Sequence, residues 1–134
     1  MTMQPAVKRA FLYLIILQGI HSIEEYVGKI WQLFAPARFL CSLISEDLEH
    51  GFLVINIGLF LFGFFCYFIP VRGDYGIGTV IVWFWICLEV INGTGHIIWS
   101  VIEVGYTPGF FTAPILLYVA IRLQQLQRHD FEKI

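Results

Sequence analysis

Two stretches of this 134-residue chain, residues 52–69 and 80–90, contain one charged side chain between them, Glu89. An apolar run of that length leaves no polar face for water, and lipid is the solvent that suits it. The rest of the chain agrees, because 58% of all residues are hydrophobic and only 13% are charged. A soluble domain of this size needs a charged outer shell, so we predict an integral membrane protein.

The apolar pattern divides the chain into four predicted helices that form one bundle, with no internal repeat or second domain. They cover about residues 7–28, 45–68, 78–101 and 108–127, and Ser45 is the predicted N-cap of the second helix. Residues 29–44 contain Pro36 and several aromatic side chains, which is typical of a connection along the bilayer surface. The predicted fold class is therefore all-α: a single four-transmembrane-helix domain spanning residues 1–134.

The positions of lysine and arginine predict how this bundle is oriented. With four spans, the two termini and the middle loop share one face, and only Lys29 and Arg38 lie on the other. The positive-inside rule then places both termini in the cytoplasm, and a bacterial inner membrane is the setting we expect. The net charge of −2 and the lack of a basic stripe argue against a nucleic-acid partner. The shared face holds Lys8, Arg9, Arg72, Arg122, Arg128 and Lys133.

Acidic, histidine and amide side chains interrupt these apolar helices at similar depth. Those of the first helix are spaced i, i+3, i+4 and those of the third i, i+3, i+7, so each set shares one face. At 1.5 Å per residue, they lie about 16 to 27 Å above the cytoplasmic boundary. An ionisable group there costs roughly 2.5 to 3.5 kcal/mol, so we predict a functional site. The predicted site residues are His21, Glu24, Glu25, Glu49, Glu89, Asn92 and His96.

Two short motifs carry a resemblance to a known family. His21-Ser22-Ile23-Glu24-Glu25 has the form HXXEE, and Asn92-Gly93-Thr94-Gly95-His96 has the form NXXXH. In size, hydropathy and motif order, the chain resembles the small integral membrane proteins named for the HXXEE motif. The resemblance implies an enzyme-like site built from the first and third helices, and it names no reaction.

The first functional hypothesis is metal-free acid–base catalysis on a lipophilic, isoprenoid- or sterol-like molecule. A carboxyl group buried away from water keeps its proton more readily, so one predicted acid is available to protonate an alkene, epoxide or carbonyl. A second acid or histidine then takes a proton, giving isomerisation, cyclisation, hydration or hydrolysis. Tyr26, Asn56, Trp85 and Trp99 are the predicted lining of the substrate pocket.

Other hypotheses remain open at this point. Four carboxylates and two imidazoles (His21, Glu24, Glu25, Glu49, Glu89 and His96) also match the ligands of a di-iron or zinc oxidoreductase or hydrolase. Proton-coupled transport uses the same groups, but little else in the predicted cytoplasmic half is polar, which argues against a path across the membrane. A purely structural polar cluster that fixes the helix arrangement is a further alternative. The expected partners are membrane lipid and a lipophilic small molecule, and a homo-oligomer is left open. The spacing does not discriminate between these hypotheses.

Several residues have simpler predicted roles. Cys41, Cys66 and Cys87 are expected to be free, buried thiols, because their spacing matches no metal-binding pattern. Glu46 and Asp47 are expected at the start of a helix, where negative charge is favourable. His50 points about 100° away from Glu49, so only one of the two is expected to face the site. Five glycines are expected to permit close helix packing: Gly51, Gly58, Gly63, Gly93 and Gly95.

Overall fold

The computed structural model describes residues 2–131, which form helices and no strand. The all-α prediction is confirmed. Lys133, which was counted in predicting the orientation, lies outside the described residues. The helices are α1 (Pro5–Val27), α2 (Ile30–Leu33), α3 (Ala35–Ser42), α4 (Leu48–Cys66), a π-helical turn (Tyr67–Val71), α5 (Gly78–Glu103) and α6 (Ala113–Phe131).

Three of these helices are long and apolar enough to cross a membrane. They are α1, α4 together with its π-helical turn, and α5, with lengths of 23, 24 and 26 residues. Large apolar side chains cover their outer surfaces, as lipid contact requires; examples are Leu61, Phe65, Ile91 and Val101. Helix α6 is not among the three, so the predicted fourth span remains a prediction.

The helices pack around a core at one end of the bundle. Helix α6 packs against both α1 and α5, whereas α4 packs against α1 and α3. Phe11 of α1 and Trp85 of α5 meet edge to face in this core, with ring centroids 6.3 Å apart. Helices α4 and α5 are therefore held apart over much of their length, and a cavity lies between them.

The start of α4 differs from the prediction. Asp47, and not Ser45, is the N-cap, because its carboxylate accepts the backbone N–H groups of Glu49 and His50 at 3.0 and 3.3 Å. Ser45 instead accepts the backbone N–H of Asp47. A carboxylate next to the positive end of the helix dipole accounts for the preference.

The predicted close approach at glycines holds at three of the five positions. A Cβ atom added at Gly51, Gly63 or Gly93 would lie within 3.1 Å of a neighbouring helix or connection, so these glycines allow close packing. At Gly58 and Gly95 such an atom would meet nothing within 4 Å among the described residues. The prediction was wrong there, because both positions face away from the neighbouring helices.

The expectation of three buried thiols is also only partly met. Cys41 and Cys66 are buried and free, whereas Cys87 is exposed. Cys87 lies on α5 between the buried residues Ile86 and Glu89, but its own side chain faces the outer surface. An apolar sequence context does not distinguish a core-facing position from a lipid-facing one. Burial raises the pKa of the Cys41 thiol, which lies in α3.

Candidate functional site

Two histidines and one carboxylate from the two sequence motifs meet inside the bundle. Nε2 of His96 lies 3.0 Å from Oε1 of Glu25, and Nε2 of His21 lies 3.6 Å from the same oxygen. One ligand atom of each residue lies within 4.8 Å of the other two, and all three side chains are buried. The two imidazole rings are nearly perpendicular, with centroids 4.6 Å apart. We call His21, Glu25 and His96 the histidine cluster.

A hydrogen-bond relay fixes the proton on His21. Oγ1 of Thr112 donates to Oε2 of Glu24 at 2.5 Å and contacts Nδ1 of His21 at 2.6 Å. A hydroxyl has one proton, so Thr112 accepts from His21 while it donates to Glu24. The neutral ring then carries its proton on Nδ1, and its Nε2 presents a lone pair to the cluster. Among the described residues, this buried Nε2 has no hydrogen-bond partner.

Glu24 turns away from the histidine cluster and binds the start of α6. Its carboxylate accepts the backbone N–H groups of Phe111 and Thr112 at 3.1 and 2.9 Å, and also the Tyr106 hydroxyl at 3.2 Å. Negative charge at the N-terminal end of a helix is favourable. Glu24 was predicted as a member of the site, but its contacts are those of a residue that positions α6 and orients His21 through Thr112.

Tyr106 is held as a neutral donor in this arrangement. Partial burial, and then the nearby Glu24 carboxylate, raise the pKa of its hydroxyl above the usual 10.0. Deprotonation near neutral pH is therefore disfavoured further. This contact was not predictable, because Tyr106 lies in an irregular connection between α5 and α6.

Gly109 brings that connection against both histidines. Its φ angle is +92°, and a Cβ atom added there would lie 2.5 Å from Nδ1 of His96 and 2.8 Å from Cε1 of His21. Only glycine takes up that backbone conformation without strain. The same connection is anchored to α5 by the hydrogen bond between the Ser100 and Thr107 hydroxyls. The loop therefore packs directly against both imidazole rings.

A second polar group surrounds Glu89, which is fully buried. One terminal atom of the Gln18 amide lies 3.2 Å from Oε1 and 2.8 Å from Oε2 of Glu89, and this atom is oxygen or nitrogen depending on how the amide is turned. Nδ2 of Asn92 lies 3.4 Å from Oε2 of Glu89. On the far side, Gln18 contacts Oγ of Ser22 at 3.3 Å, and Ser22 donates to Oδ1 of Asn56 at 2.8 Å. Gln18 was not predicted, although its polar side chain inside an apolar helix was a usable signal.

A cavity of about 430 Å³ gives Glu89 and Glu25 a common space. Its polar lining consists of these two carboxyl groups and the amides of Gln18, Asn56 and Asn92, and most of its other walls are apolar. Leu40 and Ile91 lie at its edge and are exposed, so the cavity opens on the apolar surface of the bundle. His21 and His96 are not part of the lining, which leaves Glu25 as the link between cavity and histidine cluster.

Glu49 lies outside both polar groups. It is exposed in the first turn of α4 and accepts a hydrogen bond from Tyr26 at 2.6 Å. Counting residues gave its depth but not its direction around the helix axis, so its predicted place in the layer is not what the structure shows. His50 is exposed as well, so neither of the two faces the cavity.

The predicted pocket residues are dispersed. Asn56 lines the cavity, and Trp99 stacks on Phe34 beside His96. Tyr26 lies with Asn56 along a separate apolar groove of about 410 Å³ between α1 and α4. Trp85 is fully buried against Phe11 in the core and does not line the cavity.

The seven predicted site residues thus separate into two groups and two isolated positions. His21, Glu25 and His96 form the histidine cluster, Glu89 and Asn92 face the cavity, and Glu24 and Glu49 have other contacts.

Comparisons of the chain with protein-family models, with curated proteins and with solved structures find no match. The resemblance to the HXXEE family accordingly stays a prediction.

Proposed function

We propose that this protein is an intramembrane enzyme that performs acid–base chemistry on a lipophilic, isoprenoid- or sterol-like molecule. The observation that carries the proposal is the cavity itself, where two carboxyl groups and three amides face apolar walls and an opening on the lipid-facing surface. Ionisable groups inside apolar helices are costly, and they are retained where they serve a function. The apolar walls would hold a hydrocarbon skeleton while the polar end performs the chemistry.

Accounting for each proton in the Glu89 network supports a neutral carboxylic acid. If Glu89 were ionised, the Gln18 amide would turn its NH₂ group toward it. Gln18 and Asn56 would then both present oxygens to the single Ser22 proton. One acceptor would stay unsatisfied, which is costly in a buried network.

A protonated Glu89 removes that conflict. Its hydroxyl donates to the Gln18 oxygen, Gln18 donates to Ser22, Ser22 donates to Asn56, and Asn56 donates to the Phe52 carbonyl at 3.0 Å. Each group in this series of hydrogen bonds then donates to an acceptor. Among the described residues, no lysine or arginine forms an ion pair with Glu89, which also favours its neutral form.

The proposed chemistry needs no redox partner. Glu89 donates its proton to a double bond or oxygen of the substrate, and the carboxylate that remains takes a proton from a neighbouring carbon or from an added water. The result is an isomerised, cyclised or hydrated product. Asn92 is positioned beside Glu89 to hold a substrate oxygen, and Gln18 holds the acid in place.

The membrane arrangement belongs to this proposal. We take α6 as the fourth span, because it packs against both α1 and α5. The excess of lysine and arginine on one face supports both termini in the cytoplasm of a bacterial inner membrane. The cavity would then be reached from the lipid or from the non-cytoplasmic side.

Replacing Glu89 with glutamine tests the proposed function. The purified protein in lipid nanodiscs is incubated with a membrane lipid extract and with isoprenoid and sterol standards, and products are followed by mass spectrometry. We expect turnover to an isomer or a water adduct, reduced about 10²- to 10⁴-fold in the E89Q variant, because glutamine cannot transfer the proton.

The matched control is Glu103→Gln, which changes an exposed carboxyl group on the same helix. It should leave turnover unchanged. Equal turnover by E89Q and the wild-type protein would count against the proposal, and so would a failure of the wild-type protein to convert any of the lipophiles into a product.

A further inference from the structure

We infer that His21, Glu25 and His96 bind one zinc ion. The inference concerns the histidine cluster, and only its chemical consequence rests on the proposed function. Two imidazole nitrogens and one carboxylate are a common protein ligand set for catalytic zinc, which keeps a further coordination position open. The acid–base chemistry proposed for Glu89 does not require this ion.

The histidine cluster contains a buried lone pair without a hydrogen-bond donor. Thr112 fixes the proton of His21 on Nδ1, so Nε2 of His21 is an acceptor, and it lies 3.6 Å from Oε1 of Glu25, which is also an acceptor when the carboxyl group is ionised. His96 can donate one proton to Glu25 at 3.0 Å, but it leaves Nε2 of His21 without a donor. A single cation between the three residues satisfies Nε2 of His21, Nε2 of His96 and Oε1 of Glu25 together, whereas Nδ1 of His96 has no hydrogen-bond partner among the described residues in either case.

The three ligand atoms are also spaced closely enough to share one zinc ion. The three ligand atoms lie within 4.8 Å of one another, so a point between them is only a small adjustment from the ~2.0 to 2.2 Å that zinc takes to nitrogen and oxygen. His21 and Glu25 are one helical turn apart on α1, and His96 approaches from α5. Two helices fixed against α6 thus hold the ligands in place without a flexible segment.

Hydrogen bonds to the other ring nitrogen of His21 orient this proposed ligand. A histidine that binds a metal usually donates its other ring N–H to an oxygen that is itself hydrogen-bonded, which orients the ring. The relay from His21 through Thr112 to Glu24 has this form. Gly109 packs against both imidazole rings, and Glu25 faces the cavity that is left for a substrate.

The consequence for the proposed function is a narrower substrate class. Bound at this position, zinc would supply a Lewis acid that polarises a carbonyl or epoxide oxygen, while Glu89 moves the proton. Because Glu25 links the cluster to the cavity, a lipophile that carries an oxygen function fits better than a pure hydrocarbon.

Zinc binding is measured on the full chain in nanodiscs. The protein is stripped with a chelator, dialysed against zinc chloride and analysed for metal content. We expect one zinc per chain in the wild-type protein, with an affinity reduced about 100-fold or more in His96→Ala and in the nearly isosteric Glu25→Gln. His50→Ala is the control, because this exposed histidine should not contribute. Circular dichroism confirms that each variant keeps its helices.

The outcomes separate the two proposals. Absence of bound zinc in the wild-type protein, or full retention in both variants, overturns the zinc site. The E89Q variant should keep its zinc and lose turnover. If the protein binds zinc and E89Q turns over substrate as the wild type does, the zinc site is supported and the proposed function is overturned. If turnover depends on Glu89 but no zinc binds, the proposed function is supported and the zinc site is overturned.

Discussion

Replacing Glu24 with alanine is expected to lower the free energy of unfolding by roughly 2 to 4 kcal/mol. The change leaves two backbone N–H groups at the start of α6 without their carboxylate acceptor, and it removes the contacts to Tyr106 and Thr112. It also removes the negative charge that the helix dipole favours at this position. Reversible unfolding in detergent, followed by tryptophan fluorescence and circular dichroism, measures the effect.

Glu103→Ala is the matched control, because Glu103 is an exposed glutamate near the end of α5. Its expected effect is within about 0.5 kcal/mol. Equal effects of the two substitutions would contradict the role assigned to Glu24. If Glu24 were instead a reacting group, its replacement would abolish turnover and leave the stability unchanged.

Replacing Gly109 with alanine is expected to displace the loop and disturb both histidines. The new Cβ would lie 2.5 Å from Nδ1 of His96, 2.6 Å from its Cε1 and 2.8 Å from Cε1 of His21. The φ angle of +92° adds backbone strain of about 1 to 3 kcal/mol. We expect a less stable protein whose histidine NMR signals shift, because neither the rings nor the loop backbone can move freely.

Gly95→Ala is a demanding control for this change, since Gly95 is adjacent to His96 in α5. An added Cβ there meets nothing within 4 Å among the described residues, and alanine favours a helix by about 0.5 to 1 kcal/mol. Stability should therefore be unchanged or slightly higher. A Gly109→Ala protein that behaves like Gly95→Ala would show that the loop does not press on the histidines.

The helices were predictable because their signal is local. Apolar runs and their boundaries identified α1, α4 and α5 to within a few residues, and the motif spacing placed His21 and Glu25 on one face. Counting residues placed His21 about 16 Å and His96 about 27 Å above the cytoplasmic boundary, so it did not predict that the two rings meet with centroids 4.6 Å apart. Sequence spacing sufficed for the helices and for the shared face of α1, because a regular helix converts residue number into height and angle.

The roles of Glu24 and Glu49 were not predictable in the same way. Adjacent residues Glu24 and Glu25 differ by about 100° around the helix, so only one of them faces the cluster directly. The choice depends on where α6 packs, and the residues that fix it, Thr112 and Gly109, lie in a connection without periodicity. Glu49 has the right depth, but its helix is separated from α5 by the cavity.

In the proposed mechanism, Glu89 carries a transferable proton at a lipid-accessible cavity. Dicyclohexylcarbodiimide, an apolar reagent that adds to protonated carboxyl groups, probes this proton in nanodiscs, and peptide mass spectrometry identifies the modified residue. We expect modification at Glu89 and not at Glu24 or Glu103, and loss of that adduct in E89Q. An unmodified Glu89 in a protein that reacts elsewhere would overturn the role proposed for Glu89.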